Sequence, residues 1–600
     1  MLDSLLSNHQ SRIAWLIGLL TGMIAFTFQV IGFDLSYYPG DLGDGRLNLY
    51  FLEHGFQYIC GNVKSYWNAP FMYPEPNVIA YSDNLLGTLP FYAAFRFMGM
   101  ELFTAYQTWY ILLSALNYGC AFLLFQHLFK NPWAAALGAF VFAFSLSMFS
   151  QMSHAQTFAR FPIPLAFLMA LKYSETIKVK YFIYALLILV YQIYCGIYLG
   201  FLLAIPLGIF LFIALLRNTI QNAESILNVK HLVGLVSGCA LALLTLFPLL
   251  YPYTQRKIDP DPSHYQSILH SIPEIQSYLI SHPGTLFWNF LSNKPNGMEA
   301  WWDHQLFVGF IALICMAITP LVLAYQFAQQ SQNREKIIAT VMLIATGLIT
   351  GLIFLKFNQH TLYTWIYYLP GFSAMRSLTR IINIEILFFA LSVSYITTQL
   401  LKKKVKTNLF TFSILLLILV CDNYVSADSI QREKITSAEK RTLAIAPHFK
   451  KIPINSVVSY EPDSMDAPIY AYQIDAMLLS QQFGMRTINA YTATSPTEFS
   501  MFWKSPNATS RNYWLSKNDI DFDTLYVIRS AEKLERIAAE EFRNFNPAAE
   551  ERRLIEIQMN IMRKDEKWIQ SIEAKAKEKG ISLDSMLYLD AKWLLEQDKP

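Results

Sequence analysis

The stretch GDLGDGRLNLYFLEH, residues 40–54, places Asp41, Asp44, Arg46, Glu53 and His54 within about four turns of chain if helical. Carboxylates beside a guanidinium and an imidazole are groups that move protons and hold phosphates. Asp41 and Asp44 sit among Gly40, Gly43 and Gly45, a backbone that can turn tightly and bring a carboxylate close to another molecule. The same residues also compose an ordinary solvated turn. Four further stretches carry similar chemistry. YSDNLLG (81–87) holds Asp83 and Asn84, and SHAQTFARF (153–161) holds His154, Gln156 and Arg160. NGMEAWWDHQLFVG (296–309) holds Glu299, Asp303 and His304, and LPGFSAMRSLTR (369–380) holds Arg376 and Arg380. Taken singly, each has a plain reading: His154 as a hydrogen-bonded loop histidine, the arginines as headgroup anchors, Trp301 and Trp302 as an interfacial aromatic belt. Together they supply the parts of a reaction at a phosphate.

The elements that must position these residues follow from composition. In 600 residues, 54% are hydrophobic and only 15% charged, against roughly 25% charged in soluble domains. This describes a polytopic α-helical membrane protein. Apolar stretches near the roughly 20 residues that cross a bilayer recur at 13–33, 104–128, 133–150, 159–173, 181–195, 197–216, 231–252, 306–327, 337–355, 380–401 and 407–422. That is about eleven spans. The first is too long for a signal-peptide core and lacks a small-residue cleavage site, so it reads as a retained helix. With the N-terminus in the cytoplasm, every basic cluster between spans falls inside: Lys130; Lys172, Lys178 and Lys180; Arg217 and Lys230; Arg334 and Lys336; and KKKVK at 402–406. The register requires that LLGTLPFYAAFRFMGM (85–100), short and interrupted by Pro90, lie at the interface or re-enter; counting it as a span reverses every later loop. Loops 34–103, 151–158, 253–305 and 356–379 then share the outer face with the C-terminal domain.

The net charge of +3 leaves no nucleic-acid footprint. The six cysteines show neither a disulfide framework nor zinc spacing. No phosphate-binding Gly-rich loop, GxSxG elbow or HExxH is present. Residues 1–426 read as the membrane domain, with large outer loops 34–103 and 253–305, and 427–600 as a small soluble α/β extracytoplasmic domain. Within it, INSVVSY (454–460) and DTLYVI (523–528) read as strands, APIYAYQIDAMLLSQQFG (467–484) as largely helix, and at least two helices follow 531. TINAYTATSP (487–496) could border an acceptor groove or be an ordinary strand and loop, and NAT (507–509) fits the glycosylation acceptor pattern.

An acidic motif in the first outer loop, an amphipathic outer segment, a multi-span core and a C-terminal outer domain resemble the GT-C superfamily of membrane glycosyltransferases. More narrowly, GDLGDGRL, YSDNLLG, LPGFSAMRSLTR and TINAYTATSP resemble bacterial YfhO-like or GT-C transferase proteins. The resemblance implies a multi-pass protein of the bacterial cytoplasmic membrane that moves a sugar from a polyprenyl-phosphate-linked donor to a glycan, lipid or protein acceptor. Asp44 is then the first candidate base and Asp41 the second, since the two acids are separated rather than adjacent as in protein mannosyltransferases. Arg376 and Arg380 would meet the donor phosphate, with Arg46, His54 or His154 in support; Asp83, Asn84, Gln156, Arg160, Glu299 and His304 would complete the cavity. A divalent cation (Mg or Mn) held by Asp44 and another acid could share the charge, although no ligand spacing marks one. The competing readings are a transporter or flippase of lipid-linked sugars, against which stand the lack of an internal repeat and of mid-membrane charges, and a non-catalytic membrane scaffold.

Overall fold

The computed structural model describes residues 9–257, 264–329, 334–358, 360–401 and 405–597. Lys402, Lys403 and Lys404 of the KKKVK cluster lie outside the described residues. The chain divides into two compact units: residues 1–64, 83–251 and 261–436 form the first, and 65–82, 252–260 and 437–600 the second.

In the first unit all eleven apolar segments are helical. Among the described residues eight helices are long and apolar enough to cross a membrane by length and composition: His9–Ile31, Leu102–Phe129, Pro132–Gln151, Ile197–Ile226, Val229–Thr254, Phe310–Ala328, Arg334–Phe354 and Leu378–Leu400. Pro162–Thr176, Val179–Cys195 and Asn408–Asn423 are shorter than the roughly 20 residues of a straight crossing. Leu89–Phe97, in the ambiguous 85–100 stretch, has nine residues, about 14 Å of helix against a hydrocarbon core of about 30 Å.

Small side chains decide which helix sits at the centre. The PWAAALGAFVFA helix, Pro132–Ala143, is buried along nearly its whole length and packs on Leu102–Phe129 and on Ile382–Leu400. A methyl added to Gly138 would lie 2.7 Å from Ser394 Cβ, so glycine is what lets these two backbones approach.

Two local features position the charged residues. Strand Tyr37–Pro39 pairs antiparallel with Arg432–Lys434, Tyr38 opposite Glu433, and Gly40 N–H continues the ladder to Gln431 C=O at 3.2 Å. The chain thus leaves the first helix as a pinned strand rather than a free loop. At Gly196 the apolar run breaks into Val179–Cys195 and Ile197–Ile226, which leaves the first amides of the second helix in need of acceptors.

The second unit contains a four-stranded sheet in the order Arg486–Thr487, Val457–Tyr460, Thr524–Ile528, Leu534–Ala538. Val457–Tyr460 runs parallel to both its neighbours, and the last strand is antiparallel. Helix Ile469–Phe483 covers it through Tyr472, Ala476 and Leu479, against Ile445, Phe449 and Val458. Helices Pro547–Lys564, Glu566–Lys579 and Leu583–Gln597 pack around Ile555, Met562, Ile572 and Leu587. The strands and helices expected here form, while Arg486–Thr487 and Leu534–Ala538 are additional strands. In TINAYTATSP the Asn489 side chain turns inward: its Nδ2 donates to Tyr460 C=O at 2.9 Å and to Gln473 Oε1 at 2.8 Å. In NAT, the Asn507 side chain caps helix Ala508–Ser516 by accepting from Ser510 N–H at 3.1 Å.

Candidate active site

Gly40 sets the entrance. Its φ of +97° is open to glycine, and a Cβ there would lie 2.9 Å from Gly45 Cα and 3.2 Å from Ser153 Cα. The turn therefore folds back on itself and against the segment that carries His154. Asp41 Oδ1 accepts from Gly43 N–H at 3.0 Å and Gly45 N–H at 3.4 Å, which starts helix Asp44–Ile59. Burial, and then the neighbouring Asp44 charge, raise the Asp41 carboxyl above its usual value against the pull of those two amides.

Asp44 occupies the first helical turn, favoured there by the helix dipole. His154 Nδ1 lies 3.0 Å from Asp44 Oδ2, with both side chains about one quarter exposed, at 26% and 27%. The approach is close enough for an ion pair but is not aligned as a hydrogen bond. Of the two acids, Asp44 is thus the one paired with an imidazole at a solvent-accessible point, and Asp41 shapes the turn that presents it. Close by in the chain, Ser153 Oγ and Gln156 Oε1 are buried with no hydrogen-bond partner among the described residues, an arrangement that folded proteins rarely leave unanswered.

The His154 segment leads on to the arginines. A methyl on Gly196 would lie 2.8 Å from Gln156 C=O, so this glycine admits the Ala155–Thr157 turn. Beside it, Asp83 caps helix Ile197–Ile226 from another part of the chain. Its Oδ1 accepts from Ile197 N–H at 2.7 Å and Asn84 N–H at 2.8 Å, and its Oδ2 accepts from Tyr198 N–H at 3.4 Å. Burial outweighs those bonds and the nearby Arg380 charge, and pushes the Asp83 carboxyl up to about 6. Asn84 is fully buried and accepts from Leu86 N–H at 3.1 Å. Tyr198 then gathers the arginine loop: its hydroxyl accepts from the Arg376 and Ser377 amides, and the Arg380 guanidinium lies 4.7 Å above its ring. Ser271 Oγ fixes the other side of the loop by donating to Arg376 C=O at 2.6 Å. The segment that carries His154 thus passes close to Gly196 at Gln156, and Tyr198, two residues further along the chain, meets the Arg376–Arg380 loop.

Five expected site residues are engaged in other contacts, each for a physical reason. Arg46 is fully buried, its Nε donating to Leu42 C=O at 2.8 Å within the turn. His54 is buried with its ring parallel to Tyr50, nearly three helical turns beyond Asp44. Arg160 is buried in the helix bundle, where Nη2 donates to Ala143 C=O at 3.0 Å and the guanidinium lies 5.2 Å from the Phe142 ring. Glu299 is 70% exposed and pairs with His270 Nδ1 at 3.1 Å. His304 is a buried pin: Nε2 donates to His270 C=O at 2.8 Å and Nδ1 meets Ser277 Oγ at 2.7 Å, and burial lowers its affinity for a proton. Among the described residues no three His, Cys, Asp or Glu side chains come together to hold a metal ion. Tyr198 is the site residue that sequence reasoning passed over; its signal was adjacency to the Gly196 break.

Residues 62–422 match a family described as "Domain of unknown function (DUF6311)". No curated protein matches the chain. Among solved structures, the apo oligosaccharyltransferase of Archaeoglobus fulgidus is similar at 12% identity and a TM-score of 0.46, over 86% of this chain and 69% of that one. The same enzyme tethered to an acceptor peptide containing the NVT sequon is similar at 12% identity and 0.48, over 87% and 69%. Its complex with an inhibitory peptide and a dolichol-phosphate, there named AglB, is similar at 11% identity and 0.45, over 86% and 69%.

Proposed function

The chain belongs to the DUF6311 family, whose description states no activity, and from its own residues we propose that it is an integral-membrane glycosyltransferase using a polyprenyl-phosphate-linked sugar. The observation that carries this reading is the Asp44–His154 approach at 3.0 Å; two arginines, Arg376 and Arg380, at the start of the apolar helix Leu378–Leu400 support it. A carboxylate accepts the proton of an acceptor hydroxyl as its oxygen bonds to the anomeric carbon. The bond from that carbon to phosphate breaks, and the electron pair leaves with the phosphate. Arg376 and Arg380 stabilise the charge that builds there, because a guanidinium fork matches phosphate oxygens. His154 holds Asp44 in place and shares its charge, while Asp41 and Asp83 build the turns that present the reacting groups. A polyprenyl tail remains in lipid, so its head is met where these helices end. The topology that suits this chemistry has the N-terminus in the cytoplasm, with the site and residues 427–600 outside.

The test is purified protein in liposomes with a panel of radiolabelled polyprenyl-phosphate hexoses and membrane extract as acceptor source. Label should leave the lipid phosphate and appear on acceptor with turnover. Label that stays on the lipid throughout, or crosses the bilayer still attached to it, would overturn the reading.

A further inference from the structure

A second polar feature lies away from the Asp44 site, inside the helix layer. Glu385, in the first turn of Ile382–Leu400, is 4% exposed. A carboxyl group in a membrane-spanning helix is costly and marks function unless it is fully paired. Only half of this one is paired. Tyr278, from the turn Ile275–Leu279, donates its hydroxyl to Glu385 Oε2 at 2.6 Å. Oε1 has no hydrogen-bond partner among the described residues.

Glu385 and Tyr278 line a cavity of about 430 Å³ walled by Met316, Leu348, Leu352, Leu355, Phe388 and Phe389, within the roughly 300–1,000 Å³ range of small-molecule sites. Leu348 and Leu352 are exposed on the flank of the bundle, so the cavity opens sideways, where a membrane protein meets acyl chains. Two glycines a helical turn apart shape the wall. A methyl on Gly347 would strike Phe388 Cγ at 2.6 Å, so Gly347 permits close packing; a methyl on Gly351 would meet nothing nearer than Glu385 Oε1 at 3.9 Å, so Gly351 leaves room beside the carboxyl.

We infer that this cavity binds a membrane lipid whose head is a neutral hydroxyl, with the chain against the leucines and phenylalanines and the hydroxyl on Glu385 Oε1. The lining excludes the main alternatives. It contains no Lys, Arg or His, so a phosphate head would face a carboxyl with no counter-charge. An alkane would leave Oε1 buried without a partner. A hydroxyl both donates and accepts, and so satisfies the carboxyl whether or not it carries a proton.

Native mass spectrometry of the detergent-purified protein, titrated with 1-hexadecanol, hexadecane and hexadecyl phosphate, tests the assignment. Hexadecanol should bind at one per chain, about tenfold or more tighter than either of the others. Gly351→Leu, whose Cβ meets nothing nearer than 3.9 Å and whose branches project into the lining, should abolish that binding while the melting temperature holds. Glu385→Leu should reduce hexadecanol to the level of hexadecane. Equal binding of hexadecane, tighter binding of hexadecyl phosphate, or undiminished binding to Gly351→Leu would each overturn the site.

Discussion

The two units use charge in opposite ways. In the second, Glu461 is fully buried and held by Arg511 at 2.8 Å and Arg529 at 2.9 Å, and Ser459 donates to the same carboxylate at 2.7 Å. Every partner is protein and the geometry is closed. In the first, Asp44 meets His154 while both remain a quarter exposed, and Ser153 Oγ and Gln156 Oε1 in the His154 segment find no partner among the described residues. A closed cluster specifies structure, and an open one leaves capacity for a substrate. Density of charge in the sequence does not separate the two; exposure of the charged groups does.

The sharpest way to break this contrast is Asp44→Asn. It should lower transfer by about 10²- to 10⁴-fold, the range for loss of a general base, with the melting temperature unchanged. Replacing Arg376 or Arg380 by Ala should cost about ten- to a hundredfold in kcat/KM for the lipid donor, in line with loss of one charge-assisted hydrogen bond. Glu461→Gln should do the reverse of Asp44→Asn, destabilising the second unit by about 3–5 kcal/mol because two guanidiniums lose their counter-charge; chemical denaturation reads it. Asp83 sharpens the comparison through pH. Its folded carboxyl titrates at about 6 against an ordinary 3.8, so its contribution to stability is full below about pH 3.8 and is lost as pH rises through about 6. A melting profile of Asp83→Asn should lack that decline while keeping an acceptor for the helix amides. Glu299→Gln, in a pair exposed on both sides at 48% and 70%, should change neither transfer nor melting.

Helix positions were readable because apolar run length reports directly on the need to satisfy backbone groups in lipid. Gly196 was readable as a break between two runs. Direction was not readable. Arg160 and His304 fall in the same stretches as His154 and Glu299, yet pairing with a buried carbonyl turns both inward. Nor does a sequence disclose partners distant along the chain. The pairing of Tyr37–Pro39 with Arg432–Lys434 and of Tyr278 with Glu385 depends on tertiary packing that no local pattern encodes. Asp83 shows the same limit from the other side: it reads as a reactive acid, but its oxygens cap a helix that begins more than a hundred residues later.

The central claim, that the open cluster receives a lipid phosphate, is tested most directly by photocrosslinking. A polyprenyl-phosphate hexose bearing a diazirine beside the phosphate would be irradiated with the protein in membranes and the labelled peptides mapped. The account predicts label within 41–46, 153–157 and 376–380, displaced by unlabelled donor. Label confined to other segments, or undiminished by competing donor, would contradict it.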